Sequence, residues 1–259
     1  MASLSASALA GLPELRSGDD LAELIATAAN DAGAPLDDGQ LVVIAHKAVS
    51  KCEGAVVSLS SVQPSPRARE LAAEAEAATG EPRDPRAVQV VLDESSAIVR
   101  AERGVLICRT RHGFVCANAG VDASNAADDD TLILLPRDPD RSAREIRSGL
   151  RRLTGSRVGV LITDSFGRAW RHGQVDVAIG LAGMRALDDW RGRSDARGMQ
   201  LRATWLALAD AAAAVAELVR AKDSEQPVVV VDGLARFLTP GDGPGAAALL
   251  RPLDEDLFR

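Results

Sequence analysis

VGVLITDSFGRAWRHGQVDVAIG, Val158 to Gly180, is the stretch on which the reading of the chain turns. Its first five residues, Val158-Gly159-Val160-Leu161-Ile162, form an apolar run of the kind that makes a buried strand. Thr163-Asp164-Ser165 then fall at the strand's end, where a rigid element hands polar groups to a site. A carboxylate beside a hydroxyl suits a hard cation such as magnesium or manganese, which prefers oxygen ligands. Arg168, Arg171 and His172 follow within eight positions of Asp164. A metal-seeking carboxylate with cationic groups close behind it is the chemistry of a phosphate-handling site. The same residues also read as a strand that stops at an ordinary Asp-Ser turn followed by solvated arginines. Local sequence leaves both readings open.

The rest of the chain bounds the choice. At 259 residues and 46% hydrophobic content it can bury a sizeable core, in one large domain or two small ones. A net charge of −7 argues against a general nucleic-acid surface, so a polyanion would have to be met by a local basic pocket. Cys52, Cys108 and Cys116 form no CxxC pair, and their odd number argues against a disulfide framework; a reducing cytoplasm fits best. The opening MASLSASALAG lacks the basic and apolar regions of a signal peptide, and no stretch has the apolar length of a membrane span. Only three of the 30 basic residues are lysines, Lys47, Lys51 and Lys222, so two lysines four apart stand out against an arginine-rich background.

Asp19-Asp20 can cap a helix that carries Leu21, Leu24, Ile25 and Ala28 on one face. Leu41–Ala45 reads as a strand that exits into His46-Lys47-Ala48-Val49-Ser50-Lys51, either a phosphate grip or a plain polar exit. Ala55–Leu59 reads as a short strand, and Ser65-Pro66 starts a helix that runs to Thr79-Gly80. Glu81-Pro82-Arg83-Asp84-Pro85 is a breaker and the candidate subdomain boundary. Val88–Leu92, Ala97–Arg100, Val105–Thr110, Phe114–Ala117 and Thr131–Leu135 read as strands, with a hairpin turn at Arg111-His112-Gly113. Asn118 to Asn125, NAGVDASN, is a shaped loop. Its Asp122 and Asn125 either face a common ligand or close an Asx turn on their own backbone. A helix follows Pro139 with Arg141, Arg144, Arg147, Arg151 and Arg152 mostly on its solvent side. Asp188–Gly198 reads as a polar loop, Leu201–Lys222 as one long alanine-rich helix, and Val228–Val231 as a strand. No GxxxxGK[ST] and no strand-linked GxGxxG is present, and the three histidines are isolated, so neither a standard nucleotide loop nor a histidine zinc site is expected.

Taken in order, these segments resemble the coenzyme F420-0:L-glutamate ligases. The matching pieces are Gly11-Leu12-Pro13-Glu14 with Gly18-Asp19-Asp20-Leu21, Val49-Ser50-Lys51-Cys52-Glu53-Gly54, Asn118 to Asn125, Leu135 to Asp140, and Thr163-Asp164-Ser165-Phe166-Gly167-Arg168. Trp170-Arg171, Gly173-Gln174 and Ala178-Ile179-Gly180 lie behind the last. The resemblance implies an α+β fold in two intimately joined parts with mixed and antiparallel sheets. The parts would span about residues 1–80 with 200–259, and 86–199, in an intertwined homodimer. The form implied is the one without the nitroreductase-like C-terminal domain of some relatives.

The activity implied is a GTP-dependent, GDP-forming ligation of L-glutamate to the terminal carboxylate of F420-0. Two divalent ions, magnesium or manganese, would assist, and the resemblance allows a monovalent cation such as potassium. Carried over by motif, Asp122 and Asp164 would bind one divalent ion and Ser165 would help hold a second. Leu12, Pro13, Glu14, Leu15, His46, Lys51, Asn125, Ala221 and Lys222 would line the nucleotide. His46 stands where relatives usually have a small hydroxyl residue, and Arg220-Ala221-Lys222 where they often have Met-Gly. Apart from the resemblance, Arg168, Arg171 and His172 are read as candidates for binding phosphate or an acyl phosphate, and Asp164 with Arg168 and Arg171 makes up the expected catalytic set. A binding protein that keeps the pocket without turnover, and a ligase acting on another acidic acceptor, are the alternatives.

Overall fold

The computed structural model describes residues 3–124 and 130–256. In chain order the first half contains β1 (Ser5–Ala8), α1 (Leu21–Asp31), β2 (Leu41–Ala45), α2 (His46–Cys52), β3 (Val56–Ser58), α3 (Pro66–Thr79), α4 (Pro85–Asp93), β4 (Ser95–Glu102), β5 (Val105–Thr110) and β6 (Val115–Ala117). The second half contains β7 (Thr131–Ile133), α5 (Pro139–Thr154), β8 (Gly159–Arg168), β9 (Arg171–Ala182), β10 (Leu187–Asp189), β11 (Trp205–Ala207), α6 (Leu208–Val219) and β12 (Val228–Asp232).

A five-stranded mixed sheet, ordered β1-β12-β2-β8-β9, carries the larger packing unit. Only β2 and β8 run parallel, from Leu41↔Gly159 to Ala45↔Thr163. Alternate residues of a strand point to opposite faces. Val42, Ile44, Val160 and Ile162 therefore meet Ile25 of α1 and Ala143, Ile146 and Leu150 of α5 on one face. Leu41, Val43, Leu161, Val229 and Val231 meet Ala209, Ala212, Ala213 and Ala216 of α6 on the other. Burial on both faces explains why these strands are apolar without alternation.

The smaller unit packs α3 and α4 against the antiparallel sheet β4-β5-β6, with Ala68, Leu71, Val88, Val91, Leu106 and Cys108 as its core. The fold is thus α+β with mixed and antiparallel sheets. β8 and β9 pair in the same sheet as β2 and β12.

Four local expectations are corrected. Val88–Leu92 is not a strand but lies in α4, where Asp84 accepts the Arg86 N–H at 2.8 Å as N-cap and Pro85 opens the first turn. That helix buries Val88, Val90 and Val91. Leu201–Lys222 is not one helix: Trp205–Ala207 pairs antiparallel with Leu187–Asp189, and the helix spans only Leu208–Val219. β8 does not end at Ile162 but continues to Arg168, because β9 supplies a partner for every residue through Gly167. Arg147 does not face solvent: it pairs with Asp242 at 2.6 Å and donates to the Val158 carbonyl at 2.9 Å, tying α5 to the chain's last third. Among the described residues no helix is long and apolar enough to cross a membrane.

Candidate active site

The parallel ladder of β2 and β8 stops at Ala45↔Thr163. Beyond it β2 turns into α2, while β8 runs on beside β9. A cleft of 540 Å³ opens there. It lies at the carboxyl ends of the two parallel strands, where open α/β sheets present their ligand sites. A bulge marks the spot: pairing steps from Ile162↔Gly180 to Thr163↔Ala178, so Ile179 has no partner across the ladder. Past the bulge, successive side chains of β8 serve opposite sides. Asp164 reaches α2, with Oδ1 3.2 Å from His46 Nε2. Thr163 and Ser165 reach the other way, donating to Asp176 of β9 at 2.9 and 2.6 Å.

The NAGVDASN loop delivers Asp122 to the same cleft. Asn118 and Ala119 take left-handed φ values of 51° and 54°, and Gly120 follows at 73°. A Cβ on Gly120 would stand 2.7 Å from Leu135 Cγ, so only glycine fits there. Backbone bonds between Asp122 and Ile133 in both directions, at 3.0 and 2.8 Å, then fix the loop to β7. Asp122 does close an Asx turn, through Oδ1 and the Ser124 N–H at 2.7 Å. Its other oxygen faces Lys47 Nζ, also at 2.7 Å. Burial pushes the Asp122 carboxyl up, but the Lys47 ammonium and the Ser124 N–H outweigh it and hold the group below the ordinary carboxylate range.

All three lysines of the chain line this one cleft. Lys47 bonds Ser124 Oγ at 2.5 Å as well as Asp122. Lys51 reaches Glu14 of the GLPE turn at 2.7 Å. Lys222 donates to Ser165 Oγ at 2.5 Å and lies 3.5 Å from Glu217 and 3.7 Å from Asp176. Arg220 adds a guanidinium bonded to Asp176 and to Thr163 Oγ1, the latter at 2.9 Å. A protein of net charge −7 thus gathers its lysines at one cleft, where each already stands against a polar group: Lys47 against Asp122, Lys51 against Glu14, and Lys222 against Ser165 and Glu217.

Of the residues expected from sequence, Pro13, Glu14, Leu15, His46, Lys51, Asp122, Asp164, Ser165, Ala221 and Lys222 line the cleft. Leu12 packs against the main core instead. Asn125 lies outside the described residues. Arg168 and Arg171 are not brought to the cleft: they face each other near the exposed turn of the β8–β9 hairpin, where Arg168 donates to the His172 carbonyl at 2.7 Å. Lys47, Thr163 and Arg220, read from sequence only as neighbours of the expected residues, also line it, and Gln174 and Asp176 join without having been expected there. For Lys47 the scarcity of lysine was the signal. For Asp176 it was a carboxylate inside the apolar run V-D-V-A-I.

Asp122, Asp164 and Ser165 offer only oxygen donors, the set that magnesium and manganese take. Cationic heads already stand on two of them, Lys47 on Asp122 and Lys222 on Ser165. Among the described residues no three His, Cys, Asp or Glu side chains group closely enough to cage a metal alone. Magnesium rarely needs such a cage, because one or two carboxylates together with substrate phosphates suffice. The residues therefore fit a divalent ion shared with a phosphate ligand. None of the three cysteines lines the cleft. Burial first, with the Asp164 charge behind it, pushes Cys116 up to about 12, and burial pushes Cys52 up to about 11.

The family model described as F420-0:Gamma-glutamyl ligase matches residues 11–233. The chain is 48% identical over 248 residues to the coenzyme F420:L-glutamate ligase of Methanopyrus kandleri, covering 95% of this chain and 94% of that protein. It is 44% identical to the enzyme of the same name from Methanothermobacter thermautotrophicus, covering 96% of each. With the Methanocaldococcus jannaschii protein of that name identity is 43%, over 96% of this chain and 94% of the relative. Matches of this extent cover the cleft and both packing units, and the chain belongs to the F420-0:gamma-glutamyl ligase family.

Proposed function

We propose that the protein joins L-glutamate to the terminal carboxylate of F420-0 at the expense of GTP, acting in the cytoplasm as a homodimer. The observation that carries this reading is the convergence of Lys47, Lys51 and Lys222 with Asp122, Asp164 and Ser165 on one cleft. A carboxylate is a poor acyl donor. In the proposed route its oxygen attacks the γ-phosphorus of GTP, GDP leaves, and an acyl phosphate forms. The glutamate amine then attacks the acyl carbon, an amide bond forms, and phosphate and a proton depart.

Phosphoryl transfer asks a protein mainly for positioning and charge neutralisation. Lys51, anchored by Glu14, and Lys222 would neutralise nucleotide phosphates. Asp122 and Asp164 would hold one divalent ion, and Ser165 would help hold a second. Bound there, such ions supply Lewis-acid neutralisation of phosphate charge. Arg168 and Arg171, on the hairpin outside the cleft, would contact an acceptor that extends beyond it.

The purified protein should release GDP and phosphate only when GTP, a divalent ion, F420-0 and L-glutamate are all present. Release of phosphate without F420-0 at the same rate would contradict the reading. Competition with other carboxylates separates F420-0 from a different acidic acceptor.

A further inference from the structure

We infer that Asp176 is a positioning residue: a buried carboxylate, balanced by Arg220, that accepts hydrogen bonds from the Ser165 and Thr163 hydroxyls so that both oxygens turn their lone pairs away from it. Asp176 is only 1% exposed. A buried carboxylate is costly unless paired and hydrogen-bonded. Here Oδ1 accepts from Ser165 Oγ at 2.6 Å, while Oδ2 accepts from Thr163 Oγ1 at 2.9 Å and from the Arg220 guanidinium. The backbone N–H of Asp176 donates to Glu217 Oε2 at 2.9 Å, so α6 fixes the main chain beneath the carboxylate. With its oxygens so occupied, Asp176 serves its neighbours rather than a ligand.

Chemistry forces the direction of both hydroxyls. Lysine and arginine only donate, and an ionised carboxylate only accepts. Lys222 Nζ donates to Ser165 Oγ at 2.5 Å, so the Ser165 hydroxyl donates to Asp176. Arg220 Nη2 donates to Thr163 Oγ1 at 2.9 Å, so the Thr163 hydroxyl donates there too. The Ser165 lone pair thereby meets a cation, with the Lys222 ammonium standing where a cation's charge would be. Arg220 also donates to the Pro227 carbonyl at 3.2 Å, which ties the 220–227 turn to the same carboxylate. This inference rests on the proposal that Ser165 helps hold a divalent ion.

The test is calorimetric titration of manganese into the full-length protein with GTP present, with steady-state kinetics and melting curves alongside. Asp176→Asn should weaken manganese binding by about 10- to 100-fold, the usual effect of losing a partner that orients a ligand. Asp176→Asn with Arg220→Met removes both charges. It should recover thermal stability while manganese binding stays weak. In a Ser165→Ala background, Asp176→Asn should add less than about threefold, because the two residues act as one unit.

Unchanged affinity in Asp176→Asn, or affinity regained in the double variant with Arg220→Met, would overturn the inference. So would an undiminished effect in the Ser165→Ala background, which would mark Asp176 as a charge and nothing more. A wild-type protein that binds no manganese beside GTP would instead remove the cation role of Ser165 itself, and the positioning role with it.

Discussion

His46 Nε2 stands 3.2 Å from Asp164 Oδ1, so the first residue of α2 touches the carboxylate around which the proposed chemistry is arranged. Both side chains are largely buried, at 3% and 14% exposure. A buried carboxylate of this kind keeps its shape when changed to the amide but loses its charge. Asp164→Asn should therefore leave the melting temperature near that of the wild type and lower kcat by about a thousandfold, the scale of losing a preorganised electrostatic group. Steady-state kinetics beside a melting curve checks it. Near-native turnover would remove Asp164 from its role.

Lys51 and Glu14 form an ion pair at 2.7 Å in which Glu14 is 74% exposed. An exposed pair contributes little to stability, on the order of 0–1 kcal/mol. Lys51→Ala should thus leave the fold intact and weaken nucleotide binding by about tenfold, the size expected for one lost phosphate contact of about 1.4 kcal/mol. Calorimetry with GTP measures it, and an unchanged dissociation constant would make the lysine structural.

The sign of one pH dependence follows from Asp122. Its carboxyl is held below the ordinary value of 3.8, because Lys47 and the Ser124 N–H outweigh the effect of burial. A group depressed in the folded state contributes stability that is present above the unfolded value and lost as pH falls through the folded one. Lys47→Met should raise the Asp122 titration midpoint, seen by carbon-detected NMR, and the variant's loss of stability against the wild type should shrink in acid. A midpoint that does not move would show that Lys47 leaves the carboxylate alone.

Gly120 sits at a φ of 73° with its missing Cβ directed at Leu135. Gly120→Ala should cost about 1–3 kcal/mol in urea unfolding, since both backbone and contact oppose it. It should also displace Asp122 and lower activity. A neutral substitution would show that the loop can re-form around a side chain.

Much of this was legible in the chain itself, for reasons that differ by residue. The run ending at Ile162 reads as a buried strand, and Asp164 just past it reads equally as a site residue or an ordinary turn; the structure puts it in the cleft lining. The length of β8 was not legible, because Thr163 to Gly167 are held in the ladder by β9, and a partner strand leaves no trace in local composition. V-Q-V-V-L reads as a strand because three of its five residues are valine, yet Asp84-Pro85 ahead of it is a helix start that outweighs that propensity. Trp205–Ala207 was lost to the neighbouring helix for the same reason as β8: its partner, Leu187–Asp189, lies elsewhere. Asp176 and Arg220 could be named as residues but not as a pair, since 44 positions separate them.

The most direct test of the account is mass spectrometry of F420-0 incubated with the purified protein, L-glutamate, GTP and magnesium or manganese. The account predicts a product heavier than F420-0 by one or more glutamyl residues, absent when GTP is omitted and nearly absent with Asp164→Asn. Unmodified F420-0 in the complete reaction, or glutamylation that proceeds equally well without a nucleotide, would contradict it.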